Sequence, residues 1–191
     1  MATWQFAADT QPDSFWVSLR YFNVYRLLLA GVFLAAVLIY GDSLNFGSHN
    51  LALFKYVSGA YLLLAVVFQL LLERLRSYFN FQLSLHVVTD IVASVLLMNA
   101  SDGFRSGLGV MLLISLAAAA LVSRGALTLF YAALASIAVL LEQTYWVLTF
   151  DHNTANYVQP GLLSIGYFAT ALITNQLAQR VIRQERVMRQ R

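Results

Sequence analysis

"HVVTDIVASVLLMNASDGFRSGLG", His86–Gly109, decides how this chain is read. Its first half is apolar enough for the interior of a lipid bilayer, yet Asp90 stands in it one helical turn after His86. A carboxylate in such surroundings is expensive unless protein or water answers it. From Ser101 onward, glycines and charges take over. A membrane span followed by a short loop is the simplest reading, and the rest of the chain must supply its companions.

Composition agrees. Of 191 residues, 60% are hydrophobic and only 11% charged, and the mean hydropathy is +0.68. Soluble domains carry about a quarter charged residues. A chain this short also leaves too much surface exposed to hide such a composition in one dry core. The implied solvent is lipid.

A spanning helix needs about 20 mostly apolar residues. Six runs present themselves: Tyr21–Tyr40, Leu51–Leu72, Leu83–Ala100, Gly107–Val122, Ala126–Phe150 and Gly161–Gln179. The fourth is short, so it is expected to borrow Phe104–Ser106 or to run straight where others tilt. Unbroken leucine and alanine runs lack the alternation of barrel strands. The expected fold class is all-α: a polytopic six-transmembrane-helix bundle over residues 21–179. Residues 1–20 form a preceding cytoplasmic segment. Asp13 and Ser14 are expected to start a helix there, with Phe15, Trp16, Leu19 and Phe22 along the interface. That segment lacks the basic start of a cleaved signal peptide.

Arginine and lysine set the expected orientation. With both termini cytoplasmic, the inner side holds Arg20, Arg26, Arg74, Arg76, Arg124 and the five tail arginines, against Lys55 and Arg105 outside. That asymmetry is the positive-inside pattern. The outer loops carry Asp42, Asp102 and Asp151 instead. The net charge of +3 follows from this topology, and no nucleic-acid partner is implied.

Motifs for catalysis are missing. His49, His86 and His152 lie on separate segments, so the paired histidines of a helical zinc site do not occur. Zero cysteines exclude disulfides and thiolate chemistry. Gly107 and Gly109 form a lone GxG without a preceding strand, and read as turn glycines. No metal or cofactor is expected.

What remains is polarity buried in lipid: Gln69, His86, Asp90 and Asn99 early, then Glu142, Gln143, Thr170, Thr174 and Asn175. Asp90 and His86 share one face of the third span, with Asn99 further along; Glu142 lies near the outer end of the fifth. Interhelical hydrogen bonding, contact with a ligand or sensing helix, and a proton or ion path are the three readings of Asp90. His86 is expected to partner Asp90 or lipid headgroups, and Glu142 is expected to snorkel outward. Gly166, Thr170, Thr174 and Ala178 recur every four residues on the sixth span, a narrow seam for close helix approach. That span continues without a breaker into "RVIRQERVMRQR", where Arg180, Arg183 and Arg186 mark the expected output helix, residues 180–191.

Three stretches carry a resemblance: "NVYRLLLAGV" entering the first span, "TDIVASVLLMNASDGFRSGLG" across the third, and "YVQPGLLSIGYFATAL" opening the sixth. They resemble the membrane region of PilS-type sensor histidine kinases, from about Ser18 to Arg191, with departures at Asp102 and Pro160. The resemblance implies a multi-pass sensor in a bacterial inner membrane, ahead of a PAS domain and a dimeric kinase core. It also implies a homodimer, a type IV pilin transmembrane helix as ligand, and a response regulator reached through the kinase. Neither a phosphoacceptor histidine box nor ATP-binding motifs occur in these residues, so the chain by itself is not expected to be an enzyme. Under this reading, an exchange of Asp90's partner repacks the helices and the sixth span carries the change out. A small transporter or channel, or a stand-alone membrane scaffold, are the alternative readings of the residues.

Overall fold

The structure, a computed structural model, describes residues 13–40, 47–74, 79–123, 125–149 and 157–189. Among them are six α-helices: α1 (Asp13–Tyr40), α2 (Leu51–Arg74), α3 (Phe79–Ser101), α4 (Met111–Val122), α5 (Gly125–Thr149) and α6 (Val158–Arg189). No strand occurs among the described residues. The side chains of Phe15, Trp16, Leu19, Phe22, Arg183 and Arg186 lie outside the described residues, as do Asp42, Arg76, Arg124 and Asp151.

Both end helices run on past their spans, as the absence of a breaker predicts. α1 joins the interfacial segment and the first span in one helix, and α6 joins the sixth span to the arginine tail. Nothing in either stretch breaks a helix. Pro160 falls in the first turn of α6, where its missing N–H is one of the unpaired donors anyway.

The fourth run behaves differently. α4 has 12 residues, about 18 Å at 1.5 Å each, against a hydrocarbon core of about 30 Å. Two 3-10 turns, Gly103–Ser106 and Leu108–Val110, extend it. The run does borrow the residues expected, but as 3-10 turns hinged at Gly107, whose φ is 73°. Gly109, inside the second of these turns, also serves close approach. A Cβ there would stand 2.8 Å from Leu163 Cδ2 of α6.

α3 is the centre, packed against α2 on one side and against α4 and α5 on the other. α1 lies on α2 and touches α4, while α6 lies against both α4 and α5. The shared core includes Phe54, Leu83, Met98, Leu112 and Tyr131, all essentially inaccessible. Outward faces are equally apolar: Leu28, Leu63, Val92, Leu141 and Ile165 are all exposed. Surface of this kind on every helix suits lipid and not water.

Three helical stretches, Leu51–Leu70, Phe81–Ser101 and Gly125–Thr149, are long and apolar enough to cross a membrane. Asn23–Ile39 and Leu108–Val122 are shorter apolar stretches. α6 is diluted by Asn175, Gln176 and Gln179.

Cross-links fix the helix directions. Asn23 of α1 meets Gln69 of α2, and Ser84 of α3 meets Tyr131 of α5. Asn175 of α6 meets Ser123, just past α4. The start of α1 and the end of α6 therefore share one end of the bundle. At the opposite end, the amides of His49 and Asn50 donate to Ala100 O, and Ser48 Oγ donates to Ser101 O. These bonds satisfy carbonyls that the C-terminus of α3 leaves open.

Candidate functional site

Asp90 sits at the midpoint of α3, and its answer comes from α1. Arg26 Nε stands 2.6 Å from Asp90 Oδ1, with the two side chains 1% and 2% exposed. Tyr61 of α2 donates to the same oxygen at 2.7 Å. The other guanidinium nitrogens reach His86: Nη1 meets Nδ1 of the ring, and Nη2 donates to the backbone carbonyl at 2.7 Å. The rings of Tyr61 and Phe68 flank the guanidinium, 5.9 and 5.6 Å from its carbon. Phe68 also packs on His86, with ring centroids 4.4 Å apart.

The arrangement follows from the chemistry of arginine. Its rigid fork can serve a carboxylate, an imidazole and a carbonyl at once, and its flat faces accept aromatic rings. One turn earlier on α1, Asn23 Nδ2 donates to Ala65 O at 3.1 Å and to Gln69 Oε1 at 2.7 Å. Three helices are thus tied by polar bonds inside lipid. Arg26 and Asp90 cancel in charge, so the helices carry no net ion there.

Two expectations change. Arg26 was counted among the cations of the inner interface; it is buried in the bundle. His86 was expected to serve Asp90 or headgroups; its bonds go to Arg26. The signal for Arg26 was present, because it lies inside the run Tyr21–Tyr40. Gln69 is legible as a polar residue inside a span, whereas Tyr61 and Asn23 gave no comparable signal, since a tyrosine or amide in a span has many uses.

Glu142 does not snorkel. It is 4% exposed, and neither carboxyl oxygen has a hydrogen-bond partner among the described residues. The carboxyl lies beneath the turn at Gly103, beside Trp146, and Trp146 stacks edge-on with His49 at 5.0 Å. Asn99 is half-buried, near the end of α3. These two are therefore at the far end of the bundle, apart from Asp90 and His86. A buried polar group left unpaired destabilises by about 1–3 kcal/mol. Glu142→Leu is accordingly expected to raise the thermal midpoint of the chain in detergent. A lowered midpoint would mean that the carboxyl is engaged.

On α6, the seam residues Gly166, Thr170, Thr174 and Ala178 are half-buried. Gly166 faces Leu113 of α4. The fully buried row lies beside them: Tyr167, Ala171 and Asn175. Tyr167 OH donates to Gly109 O at 2.7 Å. Asn175 Nδ2 reaches Ser123 O and Thr128 Oγ1, both at 3.0 Å, and Ala120 O at 3.3 Å. Arg180 is exposed beyond them. No group of three or more metal-ligating side chains occurs among the described residues.

Comparison with known proteins agrees with this architecture. The family described as the PilS-like transmembrane domain matches residues 9–188. The sensor protein kinase PilS of Pseudomonas aeruginosa is 30% identical over 165 residues, covering 85% of this chain and 30% of that protein. The chain thus spans under a third of the length of that relative. No solved structure matches it. The six-helix membrane bundle is a member of the PilS-like transmembrane domain family.

Proposed function

We propose that this chain is the membrane-embedded sensory domain of a two-component sensor histidine kinase. It sits in a bacterial inner membrane with both termini in the cytoplasm, works as a homodimer, and senses a type IV pilin helix in the same bilayer. Repacking of the bundle is relayed to a cytoplasmic kinase, and a response regulator is contacted through that kinase alone. One observation carries the reading: α6 runs without a break from the core of the bundle out to Arg189, a rod able to transmit displacement. The kinship with a sensor kinase supplies the output. The basic residues at the end shared by both termini supply the orientation.

Magnitudes say where repacking is feasible. A helix hydrogen bond in lipid is worth roughly 0.6–2 kcal/mol, whereas stripping one partner from a buried ion pair costs about 3–5 kcal/mol. A pilin helix offering Asp90 one hydrogen bond does not displace Arg26. Asp90, His86 and Arg26 are read as the keystone of α1–α3, and the ligand acts on weaker seams around it.

Photo-crosslinking tests the ligand. Benzophenone side chains at lipid-facing Val92 and Ile173, both exposed, are expected to capture co-expressed pilin, and to lose it when the pilin helix is replaced by polyleucine. Equal capture of both helices would contradict pilin as the ligand.

A further inference from the structure

Tyr167 and Asn175 are polar points by which α6 is held to the bundle. Toward its start, Tyr167 OH bonds to the Gly109 carbonyl. Toward the other end, the Asn175 amide enters the turn between α4 and α5. That turn is built to receive it. Ser123 N closes on Ala119 O at 2.8 Å, and the Ser123 and Thr128 hydroxyls bond each other at 2.6 Å. The carbonyls of Ala120 and Ser123 lie at a helix C-terminus, where intrahelical donors run out and lipid offers no water. Asn175 supplies both with a donor. Gln179, one turn on, donates to Asn175 Oδ1 at 2.8 Å, which fixes the amide with its N–H groups toward the turn.

Position gives this contact its meaning. Asn175 is 7% exposed, and it is the last buried residue of α6 among the described ones. Beyond it, Gln176, Leu177, Gln179, Arg180, Val181 and Gln184 are exposed and Ala178 is half-buried. Everything that happens to the emerging helix passes this point. The bonds are neutral, in the range a ligand helix can outbid, unlike the ion pair at Asp90.

We propose that Asn175 is the positioning residue that latches α6 to the α4–α5 turn, and that opening this latch is the step by which the bundle releases motion into the emerging helix. The latch rests on the sensory reading for its purpose, but its geometry can be tested without ligand or kinase. The chain has no native cysteine, so paired labels have no background. Spin labels at Ala126 and Val181 report the latch, and labels at Leu63 and Val92 report the α2–α3 half, in the 191-residue chain in lipid nanodiscs.

With Asn175 in place, one narrow distance is expected for each pair. Asn175→Leu is expected to add a second, separate distance between 126 and 181 while the 63–92 distance stays single. If Asn175→Leu does not fold, Thr128→Val, which removes one acceptor and keeps both carbonyls, is expected to give a smaller second population. A single native 126–181 distance in the folded variant overturns the latch, as does equal broadening of both pairs. Pilin capture at Val92 and Ile173 is unaffected by either result, so failure of the latch is distinguishable from failure of the sensory reading.

Discussion

Arg26→Leu is expected to destabilise the bundle by about 3–5 kcal/mol, because it leaves Asp90 buried without its counter-charge. The effect is large because both side chains are essentially inaccessible and lie where lipid, not water, surrounds the helices. Asp90→Leu is expected to do similar damage from the other side, stranding a guanidinium that still has His86 and two aromatic rings for company. The double variant Arg26→Leu/Asp90→Leu removes both charges, and replacing a buried pair by apolar groups is often neutral. Its stability is expected to return close to that of the native chain. The measurement is a double-mutant cycle from unfolding in mixed micelles. Additive losses would mean that Arg26 and Asp90 do not meet.

The second large effect belongs to Gly103. Its φ is 58°, a left-handed conformation costing side-chain-bearing residues on the order of 1–3 kcal/mol. An added Cβ would also stand 3.1 Å from Trp146 Cδ2 and 3.4 Å from Glu142 Oε1, and overpacking a filled site costs typically about 1–3 kcal/mol more. Gly103→Val combines both terms and is expected to lose roughly 2–6 kcal/mol. Gly107 offers the internal control. Its φ of 73° is similar, but nothing lies within 4 Å of its added Cβ. Gly107→Ala therefore carries the conformational term alone, and Gly103→Ala is expected to be the more damaging of the two under the same denaturation. Equal losses would remove the packing of Trp146 from the account.

Those two residues also show what a sequence gives away. Six spans were legible because lipid forces each helix to be a long apolar run. The brevity of the fourth was legible as well, since Gly107–Val122 is visibly shorter than the other runs. The ends were legible too: a helix starts at Asp13, and α6 runs on into the arginine tail, where no breaker stands. Asp90 stood out as needing a partner, but its choice depends on which helices lie against α3, a matter of packing that no local pattern records. Arg26 was misplaced because charge counting treats any arginine near a span's start as interfacial, although a fork five residues inside can turn inward as readily as it can snorkel.

Glu142 was misjudged for the converse reason. Its place near a helix end suggested escape to headgroups, and the Gly103 turn closes over it instead. The small-residue seam on α6 located the right side of the helix without its centre. A helix wedged between two neighbours, α4 and α5, buries a wide face, so Gly166 and Thr170 lie at its margin while Tyr167 and Asn175 fill the middle. Asn175 was visible as one polar residue among several. That it caps the C-terminal carbonyls of another helix could be seen only once the α4–α5 turn was in place.

A direct look at the guanidinium bears hardest on this picture of a bilayer bundle that settles its own charges. Solid-state NMR on the chain in lipid bilayers, labelled with nitrogen-15 in arginine and carbon-13 in aspartate, measures the dipolar coupling between the Arg26 side chain and Asp90 Cγ. A strong coupling is expected without any ligand, as Nε and Oδ1 at 2.6 Å require, and Asp90→Asn is expected to remove that Asp90 signal and no other. Absence of the coupling in the ligand-free chain, or its appearance only when pilin is added, would contradict it.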